Sequence, residues 1–287
     1  MQNSLKENVK HGSDNYAYAQ YHVFGLLHPF YTPFHWHEEI EIIYVKKGNL
    51  QITINNTDYE GVSGDIFLVN PREIHKMSTD DLTTEHYTLL FPLELINFKA
   101  EDDVEEKYFK PLKAGKMTFV NHLTKHFLYK KVLECVLNIV EANETKKDMY
   151  QFETKIMLLQ IVYLIIKNTP ITHLEEIGKN LTVQREILSY IDREYMNKIT
   201  LKDIADNFHM SEKYFSRFFI KNFQITFVEY VNSVRLEKAA ALLATTDLSV
   251  TEVALRCGYT NISYFIRSFK KFFGSSPHSF AIQSQKL

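Results

Sequence analysis

The sequence has few cysteines and no long apolar run. Its two cysteines, Cys135 and Cys257, lie far apart and outside any Cys-x-x-Cys or Cys/His spacing, which argues against a disulfide framework and against a structural zinc site. The strongest apolar stretch, Ile156 to Ile166, is about half as long as a membrane span and contains Gln160. The first residues are polar and lack the apolar core of a signal peptide. We therefore expect a cytoplasmic protein without a membrane segment.

The sequence also lacks a large net charge, which is −2 with neutral histidines, but the charge is unevenly distributed. Residues 185–287 contain 14 Lys and Arg against 10 Asp and Glu, whereas the preceding residues contain 19 against 25. This asymmetry is consistent with a basic, partner-binding C-terminal end. It is equally consistent with an ordinary solvated surface, so the charge alone does not choose between the two.

Short segments of alternating apolar and polar residues fill the region from Tyr16 to Phe91, among them EIEIIYV, LQITI and DIFLV. Alternation with period two predicts β-strands. Turn residues separate the segments: Asn55-Asn56 suits a tight hairpin, and Gly48 and Gly64 interrupt the pattern. Many short strands at close spacing predict a small barrel or sandwich.

After Pro92 the apolar residues follow a helical period, first from Phe127 to Val140 and then from Met149 to Ile166. Two amphipathic helices are therefore expected beside the barrel, and Pro170 ends the second. Their apolar surface is explained either by packing against the barrel or by a seam between two copies of the chain. We favour a contribution to a homodimer, while packing alone stays open.

The last third of the chain contains an internal repeat with a period of fifty residues. A short helical pattern opens each copy and contains Ala205 or Ala254 where two helices would approach closely. A tight turn follows, His209-Met210 in the first copy and Gly258-Tyr259-Thr260 in the second. A short helix, a tight turn and a second helix form the helix-turn-helix pattern. In the second helix six positions are identical: Tyr214, Phe215, Arg217, Phe219, Lys221 and Phe223 match Tyr264, Phe265, Arg267, Phe269, Lys271 and Phe273.

Helix-start signals support this interpretation. Ser249-x-x-Glu252 and Thr226-x-x-Glu229 have the form of capping boxes. The second box opens a helix from Phe227 to Ala244 that would join the two units rigidly. In each second helix the phenylalanines at i and i+4 should face inward, which leaves a polar outer face for DNA. The predicted DNA-binding residues on that face are Lys213, Ser216, Arg217, Lys221, Ser263, Ile266, Arg267 and Lys270.

These residue types suit a DNA surface. Arginine can donate two hydrogen bonds to guanine or hold a phosphate, serine can bond to a base edge, and isoleucine can contact a thymine methyl group. The alternative is that Arg217 and Arg267 only form surface salt bridges. The duplication of both positions favours DNA.

The segment YFSRFFIKNF, followed by TFVEYVNSVRLEKAAALLATTDLSVTEVALRCGYTNISYFIRSFKKFFGSSPHSF, resembles the DNA-binding domain of AraC/XylS transcription regulators over about Lys198 to Phe280. The RLEKAxxLL helix, the Cys257-Gly258-Tyr259 corner and the Gly274 to Pro277 ending carry the resemblance. Two positions depart from it: Gln224 replaces a usual Gly, and Ala281 replaces a frequent Arg. The resemblance implies that each recognition helix enters one major groove, about one duplex turn apart.

A second resemblance concerns the barrel. The segment His35-Trp36-His37-x-x-x-Glu41 is similar to the first cupin motif, whose histidines and glutamate bind a metal in the enzymes of that fold. The second cupin motif is poorly matched, although His75 could supply a third imidazole. If the first motif is extended, His35, His37, Glu39 and Glu41 share one strand face and line the cup.

Several interpretations of this cup stay open: a pocket for a small organic effector, a metal-binding sensor, a metal-dependent enzyme, or histidines that only complete local hydrogen bonds. Regulators of the resembled family often bind an organic effector in such a cup, and we favour that interpretation, with a sugar as the first effector class and no cofactor. The expected effector-binding residues are His35, Trp36, His37, Glu41, Tyr44 and His75. A metal, in the alternative, would use His35, His37, Glu41 and His75.

Taken together, the patterns predict an α+β chain: a cupin-like β-barrel, two following helices, then an all-α domain with two helix-turn-helix units. The expected boundaries are 1–115 for the effector-sensing domain, 116–169 for a helical dimerisation region, 170–184 for a linker and 185–287 for the DNA-binding domain. The predicted function is sequence-specific transcription regulation, not catalysis. The predicted partners are double-stranded promoter DNA, a small-molecule effector, a second copy of the chain and RNA polymerase.

Overall fold

The computed structural model describes residues 12–13, 15–98, 102–123, 128–173 and 179–284. Its N-terminal half consists mainly of strands: β1 Ala19–Val23, β2 Phe30–His35, β3 Ile40–Lys47, β4 Asn49–Ile54, β5 Thr57–Val62, β6 Ile66–Val69, β7 His75–Thr79 and β8 Glu85–Phe91. Two-residue strands follow at β9 Met117–Thr118, β10 His122–Leu123 and β11 Thr172–His173.

Two antiparallel sheets form the barrel. One has the strand order β1, β8, β3, β6 and β10, and the other has the order β2, β7, β4 and β5. Asn55 and Asn56, with φ of 45° and 68°, form the hairpin between β4 and β5 that the sequence predicted. Apolar side chains from both sheets fill the space between them: Ile43, Val45, Leu50, Ile52, Ile54, Phe67, Val69 and Met77. The predicted β-barrel architecture is confirmed.

The outer face of the first sheet is covered by helices. A π-helical turn, Glu105–Phe109, leads into α1 Lys110–Lys113, and α2 Tyr129–Thr145 and α3 Tyr150–Asn168 follow. The helices α2 and α3 share one apolar cluster with the sheet, which includes Ile42, Leu68, Leu89, Val132, Val136, Ile139, Leu158, Ile161 and Ile165. Packing against the barrel therefore explains part of their apolar surface. Among the described helices, none combines the length and the apolar character that crossing a membrane requires.

The C-terminal half is helical: α4 Lys179–Glu194, α5 Leu201–Asn207, α6 Glu212–Phe223, α7 Phe227–Thr245, α8 Val250–Arg256, α9 Ile262–Phe273 and α10 Pro277–Ser284. It contains two apolar clusters joined by α7. The first includes Ile187, Leu188, Ile191, Ile204, Ala205, Phe215, Phe219, Phe223 and Tyr230. The second includes Leu236, Ala239, Leu243, Val253, Ala254, Phe265, Phe269, Phe273 and Phe280.

The structure differs from the expected linker at 170–184. The strand β11 and the first six residues of α4 lie within that range, and residues 174–178 lie outside the described part of the chain. The helix was missed because its start is largely polar in sequence and, among its residues with described burial, the fully buried apolar ones begin at Ile187. The exact domain boundaries stay predictions.

Candidate DNA-contacting helices and histidine cluster

Each helix-turn-helix unit begins with a capped short helix. At the start of α5 the Asp203 amide donates to the Thr200 hydroxyl at 3.1 Å, and the Thr200 amide donates to the Asp203 carboxylate at 3.1 Å. The predicted boxes Ser249–Glu252 at α8 and Thr226–Glu229 at α7 are both present. Reciprocal bonds of this kind satisfy the first amides of a helix and fix where it begins. The two short helices therefore start in the same way.

The turn after each short helix contains a left-handed residue, His209 with φ of 54° and Gly258 with φ of 80°. Gly258 has a second constraint, because a Cβ atom there would lie 2.6 Å from the Met196 carbonyl oxygen. Ala205 and Ala254, the small residues of the short helices, are fully buried. Close helix packing thus explains the small residues that the repeat contains.

The second helices of the units, α6 and α9, each have an aromatic inner face. In α6 the ring centroids of Phe215 and Phe219 are 5.8 Å apart, and those of Phe219 and Phe223 are 4.5 Å apart. In α9 the matching pairs, from Phe265 through Phe269 to Phe273, are 5.6 and 4.6 Å apart. The inward orientation predicted from the repeat is confirmed.

The outer faces of these helices carry the residues predicted to contact DNA. Ser216 is half-buried, and the others are exposed: Lys213, Arg217, Lys221, Ser263, Ile266, Arg267 and Lys270. Within the described residues, no ion pair joins Arg217 or Arg267 to a carboxylate. The salt-bridge alternative for these two arginines therefore has no support from the geometry. Contact with DNA stays a prediction for every residue of the set.

Arg235 of α7, which the sequence did not single out, holds the two units together. Its Nε donates to the Tyr195 carbonyl at 2.7 Å and its Nη2 to the Asn197 carbonyl at 2.8 Å, both at the end of α4. Its guanidinium also lies 5.8 Å from the ring centroid of Tyr259 in the second unit. The Tyr259 hydroxyl donates to the Asn232 side chain of α7 at 2.7 Å. These contacts limit how far one unit can rotate against the other.

The barrel brings His35, His37, Glu41 and His75 together. One candidate ligand atom from each lies within 4.8 Å of all the others. His35 is paired with His75 across β2 and β7, and their ring centroids are 4.0 Å apart. The poorly matched second cupin motif therefore still places its histidine in the cluster. A cluster of three imidazoles and a carboxylate could hold a metal ion or a polar ligand.

Glu41 is the negative centre of this cluster. Its Oε2 lies 3.0 Å from His37 Nε2 and 2.8 Å from His75 Nε2. Burial would raise the pKa of the Glu41 carboxyl, but the two neighbouring histidines hold that pKa well below its usual range. The carboxylate is therefore ionised although only 2% of the residue is exposed.

A cavity of about 220 Å³ adjoins the cluster inside the barrel. Its lining includes His35 and Glu41 together with Tyr21, Val23, Phe30, Thr32, Met77, His86, Thr88 and Leu90. His86 is fully buried and neither of its ring nitrogens has a hydrogen-bond partner. Burial lowers the pKa of His86 to about 4, so its ring is neutral near pH 7. His86 was not expected from the sequence, although its alternation with Thr88 on β8 is a signal that places both residues on one face of that strand.

The structure corrects three expectations about the cup. Trp36 packs against the first helical cluster, with the Arg185 guanidinium 5.8 Å from its ring centroid, so it faces the DNA-binding half. Tyr44 packs on the helix-covered face of β3, beside Ile42. The chain bends at residues 38–39, between β2 and β3, so Glu39 does not share a strand face with the cluster. Strand alternation directs Trp36 and Tyr44 away from the cluster, and the bend leaves Glu39 outside the group of four, although its Oε2 still lies 3.8 Å from Nδ1 of His37.

The strand β2 also contacts both helix-turn-helix units. Phe34 is buried against Phe223 of α6, with 5.5 Å between ring centroids, and its carbonyl accepts a hydrogen bond of 2.5 Å from the Tyr230 hydroxyl of α7. Tyr31 packs edge-on against Phe272 of α9 at 5.0 Å. One strand therefore carries a histidine of the cluster and touches both units.

Gln224, the departure from the resembled family, belongs to the same interface. It ends α6 in the left-handed conformation with φ of 59°, as Gly274 does for α9 with φ of 75°. Its side-chain amide donates to Asp58 at 2.8 Å, and its carbonyl oxygen accepts from Lys76 at 3.4 Å. The turn geometry is thus retained, and the longer side chain adds contacts to the barrel.

Two family models match this chain. A model described as a helix-turn-helix domain matches residues 204–282, and one described as an AraC-like ligand binding domain matches residues 21–136. Together they cover α6, α9 and the histidine cluster.

Curated relatives match over most of their own length. An HTH-type transcriptional regulator, YdeC of Bacillus subtilis, is 26% identical over 257 residues, which are 87% of this chain and 86% of that protein. The melibiose operon regulatory protein of Escherichia coli is 24% identical over 270 residues, 88% of this chain and 84% of that protein. The crystal structure of ToxT from Vibrio cholerae is 13% identical in sequence. Its superposition includes 94% of this chain and 98% of the ToxT chain, with a TM-score of 0.52, which indicates a similar fold.

Proposed function

Since the chain belongs to the AraC family of transcription regulators, we propose that α6 and α9 enter two successive major grooves of promoter DNA. The chain is a DNA-binding regulator with an effector domain. One observation supports this placement of α6 and α9 in the major grooves. The two helices match each other, each has a buried aromatic face and an exposed basic face, and α7 joins them. Helices of this kind read base edges from the major groove.

Selection of binding sites from random duplexes by the full chain, followed by footprinting, tests this proposal. We expect an enriched sequence with two contacted segments about 10 base pairs apart on one face of the duplex. We also expect affinity to fall steeply with salt, because phosphate contacts release counterions. Failure to enrich any sequence, or a footprint confined to one groove segment, would contradict the proposed docking.

For the effector, we propose a small uncharged polyol, with a single sugar ring as the first candidate. The cavity beside the cluster offers about 220 Å³, less than the ~300 Å³ at which pockets for drug-sized ligands begin. His35, Glu41 and the neutral His86 line this cavity and supply polar groups, and Phe30 supplies an aromatic surface. A sugar ring has hydroxyl groups for the former and an apolar face for the latter.

Charge argues against a carboxylate effector in this cavity. Among the described residues that line it there is no lysine or arginine, and Glu41 is anionic. A second buried carboxylate would meet like-charge repulsion without a compensating cation. A structure of ToxT contains a bound unsaturated fatty acid, so this chain would differ from that neighbour in effector class.

Thermal unfolding of the full chain in the presence of candidate effectors tests this part. A ligand that binds only the folded state raises the melting temperature. We expect a rise with a monosaccharide and none with fatty acids, and we expect His86→Ala to abolish it. His122→Ala is a suitable control, because His122 is a barrel histidine stacked on Phe67 outside the cavity. A rise with fatty acids alone would replace the polyol proposal.

We propose that β2 transmits the effector signal. A ligand that moves His35 acts on the strand that also carries Phe34 and Tyr31, and these contact α6, α7 and α9. If the interface between β2 and these helices has two packed arrangements, an effector bound in the cup can favour one of them. The two helix-turn-helix units would then change their relative position.

The remaining parts of the proposal concern assembly and setting. We propose that two copies associate through the exposed side of α3, so that two chains occupy two half-sites, and that the protein acts in the cytoplasm. RNA polymerase as a further partner is a prediction from the family resemblance. We assign the cup a binding role and no catalytic one.

A further inference from the structure

We propose that a groove between the barrel and the first helix-turn-helix unit binds a small organic oxyanion, and that Arg185 of α4 holds its carboxylate or phosphate group. This site is separate from the cup, because none of the described residues that line the groove lines the cavity beside the histidine cluster. The inference goes beyond the proposed function and does not depend on which effector enters the cup. Its support comes from the walls of the groove, an unpaired guanidinium, two buried donors and the aromatic surfaces.

The groove has a volume of about 860 Å³ and is formed by three parts of the chain. Trp36 and Glu38, which follow β2, come from the barrel. One face of α4, between residues 182 and 193, and residues 207–209 at the end of α5 complete the walls. The volume is within the ~300 to 1,000 Å³ that is typical of ligand pockets. A ligand bound here would contact both the barrel and the first unit.

Arg185 is a cation of this groove without an anionic partner. Two arginines are in the lining: Arg193 pairs with Glu194 at 3.0 Å, whereas no hydrogen bond or ion pair joins Arg185 to another residue in the described part of the chain. A charged group that is partly removed from water is costly unless it is paired. The planar guanidinium can donate two parallel hydrogen bonds to a carboxylate or a phosphate.

The electrostatic surroundings of Arg185 favour an added anion. Burial and, to a smaller extent, the Arg72 guanidinium lower the pKa of Arg185 to about 10, and Glu38 and Glu73 oppose this shift only in part. The charge of Glu38 is already shared, because its carboxylate accepts a hydrogen bond of 2.8 Å from Arg72 Nε. Glu186 also lines the groove but is exposed to water, where its charge is screened. Arg185 therefore stays protonated near pH 7 and can hold an oxyanion.

Two nitrogen donors of the lining residues lack acceptors. Nε of Arg185 and Nε1 of Trp36 are buried, and neither has a hydrogen-bond partner among the described residues. Both groups can only donate, so an acceptor is what each of them needs. The two side chains are neighbours, with the Arg185 guanidinium 5.8 Å from the ring centroid of Trp36. Both residues are only half-buried, so a small rotation toward the groove lets one oxyanion accept from the two donors.

Aromatic side chains provide a surface for the organic body of the ligand. Tyr190 and Phe208 line the groove together with Trp36, and the rings of Tyr190 and Phe208 pack edge-on with centroids 6.1 Å apart. Such a wall favours an apolar or aromatic body beside the charged group. An inorganic anion would use Arg185 alone and should bind more weakly.

Fluorescence titration of the full chain tests the proposal. Trp36 is the only tryptophan in the sequence, so its emission reports on this groove. The probes are benzoate, phenyl phosphate, inorganic phosphate and benzyl alcohol at constant ionic strength. We expect saturable changes with benzoate or phenyl phosphate at millimolar concentration or below, at least about tenfold weaker binding of inorganic phosphate, and no saturation with benzyl alcohol. The tighter of the two aromatic anions shows whether the site prefers a carboxylate or a phosphate.

The indole N–H signal of Trp36 in ¹⁵N-edited NMR spectra provides a second measurement. It should move downfield when the anion binds, because Nε1 gains an acceptor. A change in emission without this shift would remove Trp36 Nε1 from the contacts of the ligand.

Substitutions assign the site. Arg185→Gln removes the charge and should weaken binding of the aromatic anion by at least about tenfold. Arg185→Lys keeps the charge but loses the planar pair of donors, so its affinity should lie between those of Arg185→Gln and the unsubstituted chain. Arg256→Gln is the matched control, because Arg256 is an exposed arginine on α8 outside the lining of the groove. Its affinity should stay within twofold of the unsubstituted chain.

Two results would overturn the proposal. One is the absence of a saturable change in Trp36 emission with either aromatic anion in the unsubstituted chain, which requires no variant to fold. The other is equal affinity of the Arg185→Gln and Arg256→Gln chains, with circular dichroism showing both folded. His86→Ala, which should abolish the response to a monosaccharide, should leave the response to the anions unchanged, so the two ligand sites are tested separately.

Discussion

Arg217 and Arg267 occupy the same position of the repeat but have different surroundings. Both are exposed on the outer faces of α6 and α9. Arg267 also borders a groove between α7 and α9. Glu229 of α7 and Tyr31 of the barrel strand β2 line the same groove. The second arginine therefore shares a groove with a residue of the effector domain, Tyr31. Both remain oriented toward solvent and available to DNA.

We expect Arg217→Ala and Arg267→Ala each to weaken specific DNA binding by about 1 to 3 kcal/mol. If the lost contact is to a base, preference at one position of the site relaxes; if it is to phosphate, all sequences weaken alike and the salt dependence becomes shallower. Gel-shift titration over a salt series measures both. Arg193→Ala is the control, because Arg193 is exposed on α4 and pairs with Glu194. Unaltered binding by both variants would remove these arginines from the interface.

Glycine positions offer a prediction about stability at the same scale. Gly258 and Gly274 have similar φ values, 80° and 75°, but different space around them. A Cβ at Gly258 would lie 2.6 Å from the Met196 carbonyl oxygen, whereas at Gly274 the nearest atom is 4.0 Å away. Gly274→Ala should cost about 1 to 2 kcal/mol from the left-handed conformation alone. Gly258→Ala should cost roughly 1 to 3 kcal/mol more from the clash.

Urea unfolding of the full chain, followed by the helical circular dichroism signal, distinguishes the two glycine variants. The expected order of midpoints is unsubstituted chain, Gly274→Ala, then Gly258→Ala. Equal midpoints for the two variants would show that the close approach of Gly258 to the Met196 carbonyl oxygen adds nothing to the loss of stability.

Among the elements, α7 has the central position, since it belongs to both apolar clusters and contacts β2. It also carries Glu237, whose Oε1 is buried without a hydrogen-bond partner. Burial raises the pKa of the Glu237 carboxyl to about 8, and neighbouring Lys238 opposes the shift only in part. The folded chain therefore keeps this proton at a pH where the unfolded chain has released it.

The sign of the pH dependence follows from that difference. Below the ordinary pKa of 4.5 both states are protonated, and the group has no effect on the free energy of unfolding. As the pH rises from 4.5 to about 8, the unfolded state loses the proton first, so stability falls and levels off above that range. Glu237→Gln should remove this loss, which the difference between the pKa values of 4.5 and about 8 limits to about 5 kcal/mol at high pH. Urea unfolding at pH 5 and pH 9 measures it; an equal effect at both values would refute the assignment.

Local sequence patterns predicted the elements of this fold but not all of the contacts between them. Period-two segments predicted the barrel strands, and the fifty-residue repeat predicted both recognition helices with their inward phenylalanines, because these patterns report burial within a single element. Trp36 was misassigned to the cup because its neighbour is Arg185 of α4, about 150 residues later in the chain. His86 was overlooked for a related reason: its alternation with Thr88 places both on one face of β8, but nothing near them in the sequence shows that this face lines the cavity. Local periodicity gives the face of a strand, but not which element covers that face.

At the scale of the whole molecule, the outer side of α3 is an apolar surface that the barrel leaves uncovered. Large side chains on it are about half exposed: Met149, Phe152, Ile156 and Tyr163. They continue into a groove of about 830 Å³ whose lining includes Val104, Tyr108, Leu159 and Ile166. A contiguous apolar surface of this kind on a soluble domain commonly marks an interaction site. This is the side of the helix pair that packing against the barrel does not explain.

We expect the full chain to sediment as a dimer at micromolar concentration, and the double substitution Ile156→Asp with Tyr163→Asp to make it a monomer. Leu255→Asp is the matched control, because Leu255 is similarly exposed but lies on α8, far along the chain from α3. Apolar burial is not screened by salt, so the dimer should persist at high salt while DNA binding falls. The monomeric variant should still bind a single half-site but lose cooperative binding to two. A monomeric unsubstituted chain, or a Leu255→Asp chain that dissociates equally, would rule out α3 as the interface.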